Sequence, residues 1–332
     1  MSRFEQSKKK KYLRYTAFVL LAVFCLSALL LFLDVWEKKH STYDNENSSY
    51  ESEPFVYMGE EYVQRDDVEI MLVLGLDKFE QSLDNSSYNN DQRADFLLLL
   101  VFDNANKTYS AVQLNRDTMA EMSVLGVAGE KIGTVTQQLA LAHTYGNGKQ
   151  VSCRNTADSV SKLLFGLKID HYVSFTMDAV PEYNDLIGGV TVEVLHDFTG
   201  IDDELVKGET VTLRGKQALT YVRERKNMAD SSNEKRMERQ AQYLNAMFAQ
   251  TKTSISADEN FAIKAVNKLG DYFVSDCTMN QIHEYFQKFS SYNFNELYKV
   301  KGEYRVGEKY MEFYPDTEDV KKTVVELCYT KE

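Results

Sequence analysis

A run of nineteen residues without a charged side chain, from Tyr15 to Leu33, constrains the chain more than any other feature. As an α-helix it would be roughly 28 Å long at about 1.5 Å per residue, close to the thickness of the hydrocarbon core of a bilayer. Lysines and arginines precede the run, and Asp34 and Glu37 follow it. The positive-inside rule therefore predicts one transmembrane helix at residues 15–33, in a single-pass cell-membrane protein with a cytoplasmic N-terminus and an extracellular remainder.

A cleaved signal peptide is the alternative interpretation of the same run. Its apolar region would span about 7–15 residues and would end in small residues at a cleavage site. The run is longer than that, and the sequence DVWE that follows it is a poor cleavage site. The uncleaved anchor is therefore favoured, with residues 1–14 as a basic cytoplasmic tail.

The charge is distributed unevenly along the 332 residues. The formal net charge is −12, and residues 1–14 carry +5, which leaves −17 on the rest of the chain. Nucleic-acid binding requires a basic surface that neutralises phosphates, so no nucleic-acid partner is expected. The four cysteines include no Cys-x-x-Cys pair, and the five histidines lack metal-ligand spacing, so no zinc site is predicted. Cys277 and Cys328 could form a disulfide outside the cell.

The part of the chain after the apolar run divides into a polar segment and a patterned one. Residues 34–67 include a polar, acidic stretch without periodicity, which is typical of a flexible extracytoplasmic stalk. From residue 68 to 332 the sequence predicts one α/β domain, a three-layer α/β/α sandwich around a mixed central sheet. The predicted strands are Ile70–Leu74 and Phe96–Phe102, which are continuous apolar runs, and Tyr109–Leu114 and Val190–Leu195.

Two helices of this domain have boundaries that the sequence predicts. Asn155 is in position to cap a helix that ends at Gly166. The second helix is Glu234–Gln250, in which apolar residues recur every third or fourth position and form one stripe. At about 100° per residue, Arg236 and Arg239 lie away from this stripe. These two side chains are therefore expected to face solvent or a cleft.

Charged side chains stand at the ends of the predicted strands, where α/β domains place their sites. Asp77 follows the first strand, Asp95 opens the second directly after Arg93, and Arg116 and Asp117 follow the third. One interpretation is a set of surface ion pairs of little energetic consequence, in which Asp117 only orients Arg116. The other interpretation is a ligand site.

Arginine is concentrated in a second segment of the chain. Arg223 and Arg225 lie in the sequence YVRER, and Arg236 and Arg239 lie in RMERQ, all within seventeen residues. A guanidinium binds phosphate oxygens through a planar fork and keeps its charge at every physiological pH. Several arginines together with two carboxylates are the expected components of a site for a pyrophosphate and a divalent cation.

Six short motifs occur in an order that resembles one known family. They are LGLD, RAD before an apolar strand, NRD, LIGGV, GKQALTYVRER and RMERQ. In this order, behind a basic N-terminus and one membrane helix, they resemble the LytR-CpsA-Psr family, and the resemblance covers roughly residues 68–250. The intervening segments 133–148 and 152–175 are similar to the version found in clostridia and related Gram-positive bacteria.

The resemblance implies an extracytoplasmic phosphotransferase. Members of the family move a glycopolymer, such as wall teichoic acid or capsule, from a polyprenyl-pyrophosphate carrier in the membrane to peptidoglycan. The isoprenoid tail requires an apolar groove or tunnel, for which the sequence identifies no residues. Two other classes stay open: a membrane-anchored protein that binds lipid-linked polymer and assists or regulates envelope assembly without turnover, and a hydrolase of polyprenyl pyrophosphate.

The same resemblance implies roles for individual residues. Asp77 and Asp95 match the positions that hold Mg²⁺ (or Mn²⁺). Four arginines match positions that contact the pyrophosphate, and they are the catalytic candidates: Arg93, Arg116, Arg223 and Arg225. Further pyrophosphate-binding positions are matched by Arg236, Arg239 and Gln240. One of the carboxylates could take the proton of the acceptor hydroxyl, but the sequence does not identify which.

The sequence departs from the family pattern at two positions. Asn233 stands three residues before Arg236, where many members have Asp, and Asp230 is the other candidate for that position. Asn115 replaces the usual proline before the pair of Arg116 and Asp117. This second departure is expected to change the turn but to leave both functional side chains in place.

Overall fold

The structure is a computed structural model and describes residues 55–77 and 90–331. The predicted membrane helix at 15–33, the basic tail at 1–14 and most of the predicted stalk lie outside the described residues. No helix within the described residues is both long enough and apolar enough to cross a bilayer. The chain divides into two units after residue 53, and all described residues belong to the second unit.

The described residues form fifteen strands and seven α-helices. The strands are β1 Phe55–Tyr57, β2 Glu60–Gln64, β3 Val68–Leu76, β4 Ala94–Asp103, β5 Thr108–Leu114, β6 Met119–Leu125, β7 Lys131–Gln138, β8 His171–Thr176, β9 Val190–Glu193, β10 Thr210–Leu213, β11 Phe273–Ser275, β12 Asn293–Lys299, β13 Gly302–Val306, β14 Met311–Pro315 and β15 Tyr329–Lys331. The helices are α1 Gln150–Leu163, α2 Ala179–Leu186, α3 Lys216–Arg223, α4 Asn233–Ala257, α5 Phe261–Leu269, α6 Met279–Ser291 and α7 Thr317–Cys328.

Six strands form a central sheet in the order β11–β8–β3–β4–β5–β12. Strands β3, β4 and β5 are antiparallel neighbours, whereas β8 joins β3 and β12 joins β5 in parallel. The side chains from Leu97 to Phe102 in β4 are all buried, as expected of a strand that is covered on both faces. The predicted mixed central sheet is confirmed.

Two apolar cores cover the two faces of this sheet. On one face, Leu72 of β3 belongs to the same core as Val160 of α1 and Val324 of α7. On the other face, Met71 of β3 belongs to a core with Phe248 of α4, and α6 contributes to this core as well. Successive side chains of a strand point to opposite faces, so each apolar strand supplies both cores. The sheet therefore has helices on both sides.

The four predicted strands occur as β3, β4, β5 and β9, with ends shifted by a few residues. The predicted helix at Glu234–Gln250 also occurs, as the longer helix α4 from Asn233 to Ala257. Its N-terminus is capped by Ser232, whose hydroxyl oxygen accepts a hydrogen bond from the backbone N–H of Lys235 at 3.3 Å.

The helix predicted to begin at Asn155 begins five residues earlier, at Gln150, so the prediction that Asn155 is its cap is wrong. Asn155 is buried, and its Nδ2 donates to the carbonyl oxygens of Ser123 and Ala142 at 3.1 and 3.0 Å. The amide satisfies backbone groups of neighbouring segments rather than the first turn of its own helix. The predicted end is confirmed, because Gly166 has a φ of +83° and its N–H donates back to the carbonyl of Ser161.

The folded domain begins before residue 68, where the stalk was expected to end. Strands β1 and β2 form a hairpin whose turn residues, Met58 and Gly59, both have positive φ, as a tight hairpin turn requires. Strand β2 also pairs with β15 near the C-terminus. Residues 55–64 are therefore part of the domain, because a strand held by backbone hydrogen bonds is not a flexible stalk.

Cys277 and Cys328 are both free, so the expected possibility of a disulfide between them is not realised. Cys328 is buried in the core that contains α1 and α7. Cys277 packs against the core on the other face of the sheet. The central sheet separates the two thiols.

Candidate active site

Charged side chains gather at one edge of the central sheet, where β3 and β5 end and β4 begins. Leu76, the last residue of β3, pairs with Ala94, the first residue of β4, so Asp77 and Asp95 lie at the same edge. The pairing shifts register between Gly75 and Leu76, which makes Asp95 the extra residue of a β-bulge. A bulge redirects a side chain out of the regular alternation, and here it does so for a carboxylate.

Two arginines converge on the carboxylate of Asp95. Arg116, which follows β5, donates from Nη1 to Oδ1 of Asp95, and Nη1 of Arg236 on α4 lies 3.7 Å from Oδ2. The two arginines are only 9% and 4% exposed. We call Asp95, Arg116 and Arg236 the inner group. Because the guanidinium groups of Arg116, Arg225 and Arg236 outnumber the nearby carboxylates of Asp95 and Asp117, this edge favours a further anion.

The pKa values at the inner group follow from its burial. Burial lowers the pKa of Arg236 to about 10. The negative charge of Asp95 raises this pKa, and the positive charge of Arg116 lowers it further. Burial also raises the pKa of the Asp117 carboxyl, which the charges of Arg116, Arg225 and Arg236 oppose. Several guanidinium charges therefore act on a partly desolvated carboxyl at this edge.

Asp117 contacts Arg116 as the surface-pair interpretation requires, with 3.4 Å between Oδ1 and Nε. The same Oδ1 accepts a hydrogen bond from Nε2 of Gln138 at 3.1 Å. The backbone carbonyl of Asp117 accepts from the N–H of Phe313 at 2.9 Å. Asp117 is 7% exposed, so this pair is not a surface pair.

A second set of charges at the same edge is open to solvent. Oδ1 of Asp77 pairs with Nη2 of Arg223 at 2.9 Å, with side chains 51% and 49% exposed. Arg93 precedes β4, is exposed, and forms no ion pair with a residue in 55–77 or 90–331. We call Asp77, Arg93 and Arg223 the outer group. Arg225 is half-buried, and its charge acts on Asp117 of the inner side.

The last two residues of the sequence RMERQ contact backbone carbonyls at the C-terminal end of α3. Nε of Arg239 donates to the carbonyl of Tyr221 at 2.8 Å, and its Nη2 donates to the carbonyl of Glu224. Nε2 of Gln240 donates to the carbonyl of Val222 at 3.2 Å. The last carbonyls of a helix have no partner within the helix, so these two side chains supply the missing donors.

This arrangement holds the segment that carries Arg223 and Arg225. Arg239 is fully buried, so the expectation that it faces solvent or a cleft is wrong. Its guanidinium is attracted by carbonyl dipoles that the sequence pattern of α4 does not reveal. Arg236 is also buried rather than solvent-facing, and it points to Asp95 at the charged edge.

Asn233, and not Asp230, occupies the position beside Arg236. Oδ1 of Asn233 accepts a hydrogen bond from Nη2 of Arg236 at 2.6 Å, whereas Asp230 is exposed and accepts from the N–H of Ser232. Asn115 forms the turn that a proline would otherwise form, because its Oδ1 accepts from the N–H of Asp117 at 3.0 Å. Both asparagines therefore keep the local geometry of the charged edge.

An apolar cavity of about 310 Å³ lies between the central sheet and helices α4 and α6. Gly75, Val222 and Gln240 line its part next to the charged edge, and Met71 and Tyr285 line its other part. From residue 71 to 75 a strand advances roughly 13 Å at about 3.3 Å per residue, so the cavity extends away from the charged edge along β3. The sequence did not identify this cavity.

Gly75, the glycine of LGLD, lines the cavity at its end next to the charged edge. A Cβ atom at this position would lie 2.9 Å from Cβ of Phe96 and 3.0 Å from Cε of Met177. Any other residue would therefore force these neighbours apart at the end of the cavity next to the charges.

Within the described residues, the group of three metal-ligand side chains that lie close together is His171, Asp276 and Cys277, away from the charged edge. Oε1 of Gln281 accepts from Thr278, so its amide nitrogen faces Nε2 of His171 at 2.9 Å. Nδ1 of His171 lies 3.5 Å from Oδ1 of Asp276, and this carboxylate, together with Cys277, raises the pKa of His171 to about 10. The ion pair of His171 with Asp276 accounts for the proximity of these side chains.

The fold and the charged edge define a mixed α/β protein with a cluster of arginines and carboxylates at the end of a central sheet, beside an apolar cavity. The family model described as the LytR_cpsA_psr family matches residues 31–327, and the chain belongs to this family. The resemblance inferred from the six motifs is confirmed.

Two relatives show how the similarity is distributed. The chain is 27% identical to the polyisoprenyl-teichoic acid–peptidoglycan teichoic acid transferase TagU of Bacillus licheniformis over 271 residues. The aligned region covers 82% of this chain and 78% of that protein. The chain is 32% identical to a second such transferase, TagV of Bacillus subtilis, over 163 residues. This aligned region covers 47% of this chain and 38% of that protein.

Solved structures share the fold. The crystal structure of B. subtilis TagV matches with a TM-score of 0.60 and 23% identity, over 79% of this chain and 97% of that chain. A structure of TagT bound to LI-WTA matches with a TM-score of 0.58 and 22% identity, over 79% of this chain and 90% of that chain. The relatives of known structure therefore have the same mixed α/β architecture.

Proposed function

We propose that this protein transfers a glycopolymer, of the teichoic acid class or a related one, from a polyprenyl-pyrophosphate carrier to peptidoglycan. The observation that carries this proposal is the convergence of Arg116 and Arg236 on Asp95 beside one end of the apolar cavity. A diphosphate attached to an isoprenoid needs both features side by side. The relatives named polyisoprenyl-teichoic acid–peptidoglycan teichoic acid transferases support the same reaction.

The cavity and the charged edge divide the carrier between them. The cavity lining next to the charges includes Val222, one residue before Arg223, and Gln240, which holds the backbone there. An isoprenoid chain in the cavity would place its diphosphate at the guanidinium groups. Burial of the apolar chain supplies binding energy, and the arginines supply the position of the reacting phosphorus.

The reaction needs little covalent chemistry from the protein. The oxygen of the acceptor hydroxyl forms a bond to the phosphorus that carries the polymer, the bond from this phosphorus to the bridging oxygen breaks, and polyprenyl phosphate leaves. The hydroxyl proton passes to a base. Because the phosphoanhydride is already activated, the task of the site is to position the reactants and to stabilise negative charge.

The residues of the charged edge fit separate parts of this task. Arg116 and Arg236 are fixed by burial and are suited to stabilise charge on the phosphate oxygens. Arg93 and Arg223 are exposed and can adapt their position to the ligand. We assign positioning roles to Arg239 and Gln240, because both donate hydrogen bonds to the backbone carbonyls beside Arg223 and Arg225.

Asp77 and Asp95 fit a hard divalent cation such as Mg²⁺ or Mn²⁺. Both supply carboxylate oxygens at adjacent strand ends, and such cations are commonly held by one or two carboxylates together with substrate phosphates. Asp77 and its partner Arg223 are both about half exposed, so a cation can replace this ion pair. When bound, the cation would supply positive charge to the phosphate oxygens.

The segments outside the described residues complete the proposal. A membrane helix at 15–33, with the basic tail at 1–14 inside the cell, would hold the domain on the outer side next to a lipid-linked substrate. The partners are then membrane lipid, the polyprenyl-linked polymer and peptidoglycan. Reaction outside the cell is compatible with a substrate that carries its own activated bond and needs no nucleotide.

Three product outcomes test the proposal and its alternatives. Full-length protein in detergent micelles is incubated with Mg²⁺, a polyprenyl-pyrophosphate-linked oligosaccharide and a peptidoglycan fragment. Attachment of the oligosaccharide through a phosphodiester is the expected result. Release of free sugar phosphate would indicate a hydrolase, and binding without a product would indicate the non-catalytic alternative.

Two controls connect the outcome to the charged edge. Asp95→Asn should abolish transfer, whereas Asp203→Asn, on an exposed turn distant in sequence from the charged motifs, should retain it. Transfer is also expected to stop in excess chelator and to return when Mg²⁺ is restored. Undiminished transfer in excess chelator would remove the cation from the proposal.

A further inference from the structure

A hairpin from the C-terminal part of the chain reaches the charged edge. This hairpin consists of β13 and β14, which lie beyond the region that carries the six motifs. The N–H of Phe313 in β14 donates to the carbonyl of Asp117, and Nε2 of Gln138 bridges Oδ1 of Asp117 and the carbonyl of Met311. The hairpin is therefore attached to the turn that presents the inner group.

Tyr304 of this hairpin ends a chain of hydrogen bonds that begins at Arg236. Nη2 of Arg236 donates to Oδ1 of Asn233 at 2.6 Å, and Nδ2 of Asn233 donates to Oδ1 of Asn115 at 2.9 Å. Nδ2 of Asn115 then donates to Oη of Tyr304 at 2.6 Å. Each group donates to the next one, and a chain with one direction strengthens each of its bonds.

The neighbours of the two asparagines fix the orientation of both amides. Oδ1 of Asn115 accepts from the N–H of Asp117 as well as from Asn233, so rotation of the amide would place its nitrogen against two donors. Asn115 and Asn233 are each 5% exposed, and Arg236 is 4% exposed. Loss of one link would leave buried polar groups without a partner, which is costly.

The two positions at which the sequence departs from the family pattern are thus in contact with each other. The geometry points to Asn115, Asn233 and Tyr304 as one positioning unit, which orients Arg236 toward Asp95 and makes the C-terminal hairpin part of the active site. Burial raises the pKa of Tyr304, so its hydroxyl stays neutral and the unit carries no charge of its own. This inference rests on the proposed function for the meaning of the active site.

The test measures binding of inorganic pyrophosphate in the presence of Mg²⁺ by titration calorimetry, together with transfer, in the full-length protein. Tyr304→Phe removes only the hydroxyl and keeps the ring, which lies 5.0 Å from the ring of Phe313. Affinity for pyrophosphate should fall about three- to tenfold, as expected for one lost hydrogen bond in a positioning chain. Tyr310→Phe, on the exposed tip of the same hairpin, should leave affinity and transfer unchanged.

A double-mutant comparison separates a positioning role from a structural one. Asn233→Ala cuts the chain next to Arg236, so adding Tyr304→Phe in this background should change pyrophosphate affinity by less than about twofold. If Tyr304 served only to hold the hairpin, its substitution would lower the unfolding temperature and would leave affinity unchanged. Full affinity in Tyr304→Phe, or effects of the two substitutions that simply multiply, would overturn the inference.

The two readouts also separate this inference from the proposed function. One outcome is that Tyr304→Phe weakens pyrophosphate binding while the wild type shows no transfer activity. This outcome would support the positioning unit and contradict the transferase. Transfer that is equally fast in the wild type and in Tyr304→Phe would support the transferase and contradict the positioning unit. A wild-type protein that does not bind pyrophosphate at all would contradict both.

Discussion

The inner and outer groups of the charged edge contain the same kinds of side chain in opposite environments. Arg116 and Arg236 are almost completely buried against Asp95, whereas Asp77 and Arg223 are about half exposed. A buried guanidinium cannot move away without leaving an unpaired charge, while an exposed ion pair contributes only about 0–1 kcal/mol. The charged edge therefore has one side that is fixed by burial and one side that is free to rearrange.

The largest expected effect breaks the fixed side. Arg116→Ala should lower the rate of transfer by about 10²–10³-fold, because a preorganised donor to the phosphate oxygens is lost. It should also lower the free energy of unfolding by about 3 kcal/mol, since Asp95, whose side chain is only 17% exposed, would lose its nearest partner. Product analysis measures the first effect, and urea unfolding followed by circular dichroism measures the second.

The matched variant is Arg116→Lys, which keeps the charge but lacks the planar fork. It should regain most of the unfolding free energy and only part of the transfer rate. An Arg116→Ala protein that unfolds at the same urea concentration as the wild type would show that the inner group is not fixed by burial.

The next effect concerns the support behind Arg93 of the outer group. His143 is fully buried, and its Nδ1 donates to the carbonyl of Gln92, the residue before Arg93. Burial lowers the pKa of His143 to about 4, whereas the same group in an unfolded chain has a pKa of about 6.5. Between these values the unfolded chain takes up a proton that the folded protein does not, so stability decreases as the pH falls.

The expected loss is about 3 kcal/mol of unfolding free energy between pH 7 and pH 4, on the scale of 1.36 kcal/mol per pKa unit. Urea unfolding at a series of pH values measures it. His143→Gln removes the titrating group, so this variant should show a smaller decrease over the same pH range. An equal pH dependence in the variant and the wild type would assign the decrease to other groups.

The sequence predicted the location of the charged edge because position along the chain determines it. Asp77, Asp95 and Arg116 each adjoin a long apolar run, and the ends of neighbouring antiparallel strands meet at one edge. The burial of these charges was not predictable in the same way. It depends on α4 and on the hairpin that contains Tyr304, which are distant in sequence.

Arg239 and Asn155 show why the remaining features were missed. Both are polar residues whose partners are backbone carbonyls of other segments, and a carbonyl is present at every position of a sequence. The cavity was missed for a related reason. Alternating apolar residues such as Met71 and Val73 have the same sequence pattern whether the helix packed opposite them fills the space above the sheet or leaves a cavity there.

The smallest expected effect sharpens the comparison from the exposed side. Arg223→Ala removes the partner of Asp77, but both side chains are about half exposed, so the unfolding free energy should change by no more than about 0.5 kcal/mol. Transfer should still fall about tenfold, and mainly through a higher KM for the lipid substrate, because an exposed guanidinium contributes by binding the phosphate oxygens of the substrate. Parallel urea unfolding and initial-rate measurements on Arg223→Ala and Arg116→Ala compare the two sides directly. If Arg223→Ala lost as much unfolding free energy as Arg116→Ala, the difference in exposure would not distinguish the two groups. The outer group would then have to be held by contacts of the segment YVRER that are as rigid as those around Asp95.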